Sequence, residues 1–468
     1  MEPLISFVGL FVMIALAWLM SPHKRIIPWR VIAGGLALQL LFGWFVMRTD
    51  EGEWFFDRIG DVFNALLDCS DIGAKRLFDD SFRDVSLAFK VLPTIVFFSA
   101  LMSIFYYYGV MQWIVGFLAR LMRWTLGTSG AETLSATANI FVGQTEAPLV
   151  IRPYVATMTM SELNCVMVGG FATIAGGVMA AYVGMGISVT HLLAASVISA
   201  PAALLISKVM LPETETPKTL GSVQVDVKDD SQNVLEAIAR GTLGGLQLAL
   251  NVGAMLIVFF ALIAVVNALL GWLAMVAFNA GLVGGETPPV WTLEAAFGYL
   301  FYPIAWVMGI ESKDCLAAGQ LLGIKWFGTE FVAYDQLAKW MKPNSGVELS
   351  PRSRVIITYA LCGFANFASI GIQIGGIGGI APERRGDLAK LAFRAMLGGS
   401  LAAFMTACVA GMLYTKPPQP TDETAPREVH VTFELESPRE LAAGWIEIGY
   451  NGRCERFVQA NPRQEMMG

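Results

Sequence analysis

Long apolar runs, divided by short polar connectors, dominate this chain. A run of about 20 apolar residues is long enough to cross the hydrocarbon core of a bilayer as a helix. The pattern predicts eight such spans, near 3–20, 29–47, 87–110, 163–186, 190–211, 243–273, 354–378 and 389–413. Residues 54–80 follow a different rhythm. Phe55, Ile59, Phe63, Leu66 and Leu67 recur on one helical face, while Asp57, Arg58, Asp61, Asp68 and Asp71 break up the rest. That spacing predicts an amphipathic helix, either at the membrane interface or packed as a surface helix. Residues 213–232 read as a polar loop. Beyond residue 415 a Pro-rich start (Lys416, Pro417, Pro418, Pro420) leads into alternation at 429–435 and 445–450, which predicts two short strands. The pattern divides the chain into a two-span N-terminal region with its amphipathic helix (1–84), a core (85–414) and a polar tail expected outside the membrane (415–468).

Composition sharpens this picture. Of the 468 residues, 55% are hydrophobic and 15% charged, against roughly 25% charged in soluble domains. The net charge of −6 comes without a basic run, which argues against nucleic acid as a partner. The six cysteines form no CxxC pair and the three histidines lie far apart, so neither a disulfide framework nor a zinc motif is expected. Glu2 stands where a secretory signal would carry basic residues, so the first run is expected to remain as a span. Positive charge sets the orientation. His23, Lys24, Arg25 and Arg30, then Arg120 and Arg123, then Arg384, Arg385 and Lys390 fall on one side if both termini face the other. Asp50, Glu51 and Glu53 lie on that other side, so both termini are expected outside. Trp18, Trp44, Trp272 and Trp340 lie near predicted span ends, as interfacial anchors do.

Two stretches do not fit a plain span. Residues 131–153 and 311–341 each have apolar flanks around a polar centre. Each half, of roughly 8–12 residues, is too short to cross about 30 Å of hydrocarbon, so each stretch is expected to enter and turn back as a helical hairpin. Gly143-Gln144-Thr145-Glu146-Ala147-Pro148 and Gly328-Thr329-Glu330 are the turn candidates. They put Glu146 and Glu330 at membrane depth, where a carboxylate costs on the order of 2.5–3.5 kcal/mol on insertion scales. A bound solute, a coupling cation or a buried partner must offset that cost. The stretches also echo one another. Thr145-Glu146 matches Thr329-Glu330, and Gly170-Phe171-Ala172-Thr173 matches Gly363-Phe364-Ala365-Asn366, with a Gly-rich segment after each. Under the charge-based topology the hairpins open to opposite sides. The expected fold is an all-α polytopic membrane protein of about eight transmembrane helices plus two re-entrant hairpins in an inverted repeat. Asn139, Gln144, Thr145, Thr173, Asn366 and Ser369 add polar groups to the same region. Together they suit a polyhydroxylated heterocyclic solute, and Asn139 and Thr173 with carbonyls freed by a helix break could hold Na⁺.

GQTEAPLVIRPY (143–154), GFATIAGGVMAAY (170–182), TEFVAY (329–334) and TYALCGFANFASIGIQIGGIGGIAPERR (358–385) resemble the concentrative nucleoside transporter family, over about residues 85–413. The resemblance implies a bacterial inner-membrane homotrimer that takes up nucleosides with a coupling cation by an elevator motion. Its scaffold would include the third and sixth spans, and its transport domain the hairpins. The family's nucleobase contacts carry over to Gln144, Thr145 and Glu146, with Val178 nearby. Its ribose contacts carry over to Glu330, Asn366 and Ser369, with Phe364 as an apolar wall. Its Na⁺ site maps to the side chains of Asn139 and Thr173 and the carbonyls of Val142 and Ile174. No cofactor is implied beyond the coupling ion, for which H⁺ is the alternative. Thr329 departs from the family's usual Asn at that position. A carrier of another polar solute on the same scaffold stays open. An intramembrane enzyme using Glu146 and Glu330 as acid and base is disfavoured, because no nucleophile or metal cluster accompanies them.

Overall fold

The computed structural model describes residues 2–78, 87–220, 231–285, 287–342, 345–415, 446–450 and 453–457. Chain contacts divide it into two units, Met1–Lys416 and Pro417–Gly468. In the second, strand β1 (Ile446–Tyr450) pairs antiparallel with β2 (Arg453–Phe457). The first strand agrees with the alternation at 445–450, and the second was not anticipated. The other strand expectation, 429–435, lies outside the described residues, as do the Pro-rich start and residues 221–230 of the polar loop.

The first unit is helical. Helices α1 (Glu2–Leu19), α2 (Trp29–Arg48) and α3 (Asp50–Phe78) open it, followed by α4 (Leu87–Tyr107) and α5 (Val110–Leu126). A repeated set comes next. It begins with α6 (Gly130–Ala138), a return arm made of a 3-10 segment (Ala147–Ile151) and one α-turn (Arg152–Val155). It continues through α7 (Met160–Ala172), α8 (Gly176–Gly184) and α9 (Val189–Met210). Helices α10 (Val234–Asn279) and α11 (Leu293–Val307) intervene. The set then recurs as α12 (Cys315–Phe327), α13 (Glu330–Trp340), α14 (Pro351–Leu361), α15 (Phe367–Ile380) and α16 (Arg385–Leu413).

Several elements differ from the sequence reading. Length and apolarity single out six spans among the described residues, and a seventh if α4 and α5, bent by 76°, count as one. Two predicted spans are broken helices. The stretch 163–186 parts at Thr173–Ala175, and 354–378 parts at Cys362–Asn366. The second break has a local cause. Gly363 takes φ +135°, and Asn366 caps α15 by accepting from the Ser369 N–H. Such stop and start signals outweigh an apolar composition that would otherwise continue the helix. The span at 87–110 stops at Tyr107 and resumes after Gly109 (φ 76°). The span at 243–273 is part of a helix of 46 residues, about 69 Å long. Helix α11 was not anticipated, and the return arm of the first hairpin is mainly 3-10. The amphipathic helix runs Asp50–Phe78, with Phe56 and Gly60 on its buried line and Phe55 exposed. Residues 79–80 of that prediction lie outside the described residues.

Contacts at the helix ends fix the hairpins' directions. Arg30 donates to the Trp124 carbonyl (2.9 Å), Arg384 to the Met158 carbonyl (2.7 Å) and Arg394 to the Met20 carbonyl. The three basic segments thus share one end of the bundle with the base of the first hairpin. At the other end Arg352 donates to Ser6 (3.1 Å) and lies 3.8 Å from Glu2, and Arg48 donates to the Leu413 carbonyl (2.8 Å). Asp314, at the base of the second hairpin, accepts there from the Ser350 N–H (3.0 Å). The hairpins therefore enter from opposite ends, and the repeat is inverted.

In the apolar stretch of the broken helix Met160–Gly184, 89% of the residues are buried, against 6% in that of α10. The repeated sets thus form the core, and α10 lies outside it against α4. Gly241 and Gly245 make that seam, since an added Cβ would meet Ser103 at 2.4 Å or Ser99 at 2.7 Å. Small residues four apart let two apolar helices approach closely where lipid supplies no hydrophobic drive. A buried polar cluster anchors the first hairpin's base. Ser129–Glu132 and Thr159–Glu162 form capping boxes, and Lys208 lies 2.7 Å from Glu132.

At Gly363 an added Cβ would lie 2.7 Å from the Phe171 carbonyl oxygen, at a φ that L-residues rarely adopt. Gly363→Ala should cost about 1–3 kcal/mol from backbone strain. The thermal unfolding midpoint in detergent should fall, while that of Gly379→Ala, which meets nothing within 4 Å, should hold.

Candidate functional site

The two helix breaks meet at the centre of the core. The Phe364 N–H donates to the Thr173 carbonyl (3.2 Å), and the Gly176 N–H to the Phe141 carbonyl (2.9 Å). Unwinding frees backbone groups that lipid cannot satisfy, and here each break satisfies part of its neighbour's need.

Glu330 sits beside this crossing. It opens α13 directly after Thr329, whose hydroxyl accepts from the Val332 N–H (3.4 Å). Thr and Asn are both good N-caps, so the departure at Thr329 keeps the capping group. Glu330 is 4% exposed. One carboxylate oxygen accepts from the Tyr182 hydroxyl (3.0 Å), and the other from the Asn366 amide (2.8 Å). The carboxylate is thus held by two donors at the start of α13, where the helix dipole favours negative charge. Tyr182 is itself fixed by the Tyr334 ring, 4.4 Å away between centroids.

A chain of bonds leads on to the first hairpin. The Asn366 side-chain oxygen accepts from the Ser369 N–H (2.8 Å), and Ser369 Oγ accepts from the Gln144 amide (3.1 Å). Gln373 donates both to Gln144 Oε1 (3.1 Å) and to the Met167 carbonyl (3.1 Å). Glu330, Asn366, Ser369 and Gln144 therefore form one connected polar set. Phe364 and Val178 are buried on the two broken helices, and Thr145 packs beneath Gly376. Glu146 stands apart from Glu330. It is exposed, and it accepts from the Gly143 N–H of its own turn (3.2 Å). The two carboxylates, alike in the sequence reading, have different surroundings.

Asn139 caps the C-terminus of α6. Its amide nitrogen donates to the Ser135 carbonyl (3.1 Å), while its buried Oδ1 has no hydrogen-bond partner. Thr173 ends α7 with its hydroxyl donating to the Gly169 carbonyl (3.1 Å), which leaves the oxygen lone pairs as acceptors. Among the described residues, no turn or loop backbone bond uses the carbonyls of Val142 or Ile174. Asn139 and Thr173 both lie at Gly169, and neutral oxygens are donors that hard cations prefer.

Three residues went unremarked in the sequence reading. Tyr182 and Gln373 lie inside the quoted motifs, but nothing in their spacing says what they touch. Lys325 is fully buried in α12 and donates to the Ala360 carbonyl (3.0 Å). A lysine within the apolar arm Leu321–Phe327 was a readable signal.

These features define a polytopic helical membrane protein whose two inverted halves meet at a polar site between broken helices. Residues 8–81 match the family described as "Na+ dependent nucleoside transporter N-terminus", 88–189 the one described as "Nucleoside recognition", and 191–411 "Na+ dependent nucleoside transporter C-terminus". The chain is 44% identical over 427 residues to solute carrier family 28 member 3 of Mus musculus. That match covers 89% of this chain and 60% of the relative, so the chain spans less than two thirds of that protein's length. It is also 44% identical to an uncharacterized transporter of Haemophilus influenzae, covering 88% of this chain and 98% of that one. Among solved structures, CNTnw in an inward-facing substrate-bound state superposes with a TM-score of 0.80 at 40% identity, over 88% of this chain and 98% of that one. The chain belongs to the concentrative nucleoside transporter family. That family consists of transporters, not enzymes, and the match at 8–81 extends the resemblance beyond the core to the first three helices.

Replacing Gln373 would leave Gln144 Oε1 without its donor. Gln373→Leu should cost about 1–3 kcal/mol for the unsatisfied group, read as a lower unfolding midpoint in detergent. The double variant with Gln144→Leu should recover part of that loss.

Proposed function

We propose that this protein takes up nucleosides across a bacterial inner membrane, driven by Na⁺. The carrying observation is the buried Glu330 carboxylate, held by Tyr182 and Asn366 beside a chain of side-chain amides and hydroxyls. A carboxylate accepts hydrogen bonds from vicinal sugar hydroxyls. Glu330, Asn366 and Ser369 bind the ribose, with Phe364 as an apolar wall. Gln144, Thr145 and Glu146 bind the base, with Val178 packed nearby. Glu146 is exposed, so a solute can reach it.

Asn139 and Thr173, with the carbonyls of Val142 and Ile174, bind Na⁺. The unpartnered Asn139 Oδ1 supports this assignment. Coupling follows from shared structure. Asn139 and Gln144 belong to one hairpin turn, so an ion that orders the turn also orders a substrate contact, and the linkage is reciprocal. The repeated hairpins and broken helices form the transport domain. It moves like an elevator against a scaffold that includes α4 and α10, whose exposed apolar surface is available to build a homotrimer. CNTnw is known in inward-facing, outward-facing and intermediate states, which supports such a motion here. Both termini face outward, because the basic segments gather at the opposite end of the bundle. Residues 1–84, 85–414 and 415–468 act as flanking region, transporter core and external appendage.

Uptake of labelled uridine and adenosine into proteoliposomes tests the reading, with Na⁺ and H⁺ gradients imposed separately. Uptake should follow the Na⁺ gradient. Uptake that follows only the H⁺ gradient would assign the coupling ion to the proton, and no uptake of either nucleoside would overturn the substrate. Asn139→Ala should weaken uptake and flatten its Na⁺ dependence. Glu330→Ala should reduce nucleoside affinity by roughly 10–100-fold, the equivalent of a lost charged hydrogen bond, as read by isothermal titration.

A further inference from the structure

Lys325 has no place in the reading above, yet it carries the one fully buried ammonium among the described residues. It lies in the last turn of α12, the first arm of the second hairpin. Its Nζ donates to the carbonyl of Ala360, 3.0 Å away, in the last turn of α14. The final carbonyls of a helix lack intrahelical partners and form the negative end of its dipole. The Glu330 carboxylate acts on it only at longer range, beyond ion-pair distance. An ammonium out of reach of water is costly unless paired and hydrogen-bonded. Here the hydrogen bond to the Ala360 carbonyl is the contact that offsets that cost.

The inverted repeat gives this contact a counterpart. In the first half, Asn139 caps the first hairpin arm α6, and the neighbouring half-helix α7 ends at Thr173. That junction of first arm and half-helix C-terminus is where the Na⁺ donors gather. In the second half, the same junction lies between the end of α12 and the end of α14, and a side-chain ammonium fills it. We propose that Lys325 is a tethered cation, holding in the second half of the site the position that the mobile Na⁺ takes in the first. It is a positioning residue. It clamps the second hairpin to the broken helix and balances the Glu330 charge, so that the Glu330 end of the site is assembled without an ion. The inference rests on the Na⁺ assignment above, and it explains why only one hairpin would answer to the gradient.

Cavity rescue in the full-length protein tests this. Lys325→Ala leaves a cation-sized vacancy beside the Ala360 carbonyl. Methylammonium should raise the unfolding midpoint of Lys325→Ala in detergent and leave that of the parent unchanged. Nucleoside affinity of the variant should fall by roughly tenfold or more and recover with methylammonium, while Lys325→Arg should keep it. The stabilisation readout needs neither nucleoside nor transport, so it separates this proposal from a failure of the nucleoside reading. If Lys325→Ala does not fold, Lys325→Gln provides an uncharged variant of similar length. An uncharged variant with unchanged nucleoside affinity and Na⁺ dependence would overturn the proposal. So would a defect that methylammonium leaves untouched and that Lys325→Arg shares, since packing alone would then account for it.

Discussion

A helix broken inside a membrane releases amide and carbonyl groups where no water can receive them, and this constraint organises the whole core. Both broken helices meet it in the same place. The Phe364 N–H reaches the Thr173 carbonyl across the crossing, and Gly363 supplies the backbone conformation and the clearance that the approach requires. Side chains complete the satisfaction. Asn366 caps one restarted helix, Thr329 caps the returning hairpin arm, and Lys325 takes a terminal carbonyl. The groups that remain, such as Asn139 Oδ1, are those a ligand can use.

Glu330 is costly in isolation and stable in this frame. Tyr182 and Asn366 bind its two oxygens, and each is held in turn, Tyr182 by the Tyr334 ring and Asn366 by its cap. A charge fixed by neighbours that cannot themselves relax is preorganised for a partner. Glu146 accepts one hydrogen bond, from the Gly143 N–H of its own turn. The two acids therefore differ in their surroundings although the sequence presents them as a matched pair.

The core and the outer layer divide along the same logic. Helices α9 and α16 are largely buried because both pack on the broken helix α7, α16 through Gly399 against Phe171 and α9 through the Ser207 carbonyl, which accepts from Asn164. Helix α10 is apolar on nearly every side and packs mainly on α4 through small residues. Its composition suits lipid or further protein, and its length far exceeds one bilayer crossing.

Much was legible in the sequence because membrane insertion imposes a length rule that needs no tertiary knowledge. Apolar runs located α1, α2, α4, α9 and α16, and short halves around Glu146 and Glu330 revealed the hairpins. Basic segments grouped the loops by side, and the echo of Gly-Phe-Ala-Thr in Gly-Phe-Ala-Asn revealed the repeat. The breaks at Thr173 and Gly363 were hidden, because an apolar window averages over the three or five residues that leave the helix. Asn366 followed by Ser369 could have marked the second break as an N-cap, but the first carries no such cap. Which polar groups join was beyond the sequence altogether. Gln373 meets Gln144 from 229 residues away, and Tyr182 meets Glu330 from 148. Such pairings depend on how two inverted halves interlock, a matter of packing between distant segments that local spacing does not encode. The sequence by itself set which segments enter the membrane and which residues are too polar to be there without a purpose. Only the tertiary structure decided which of those residues satisfy one another and which are left with lone pairs to offer.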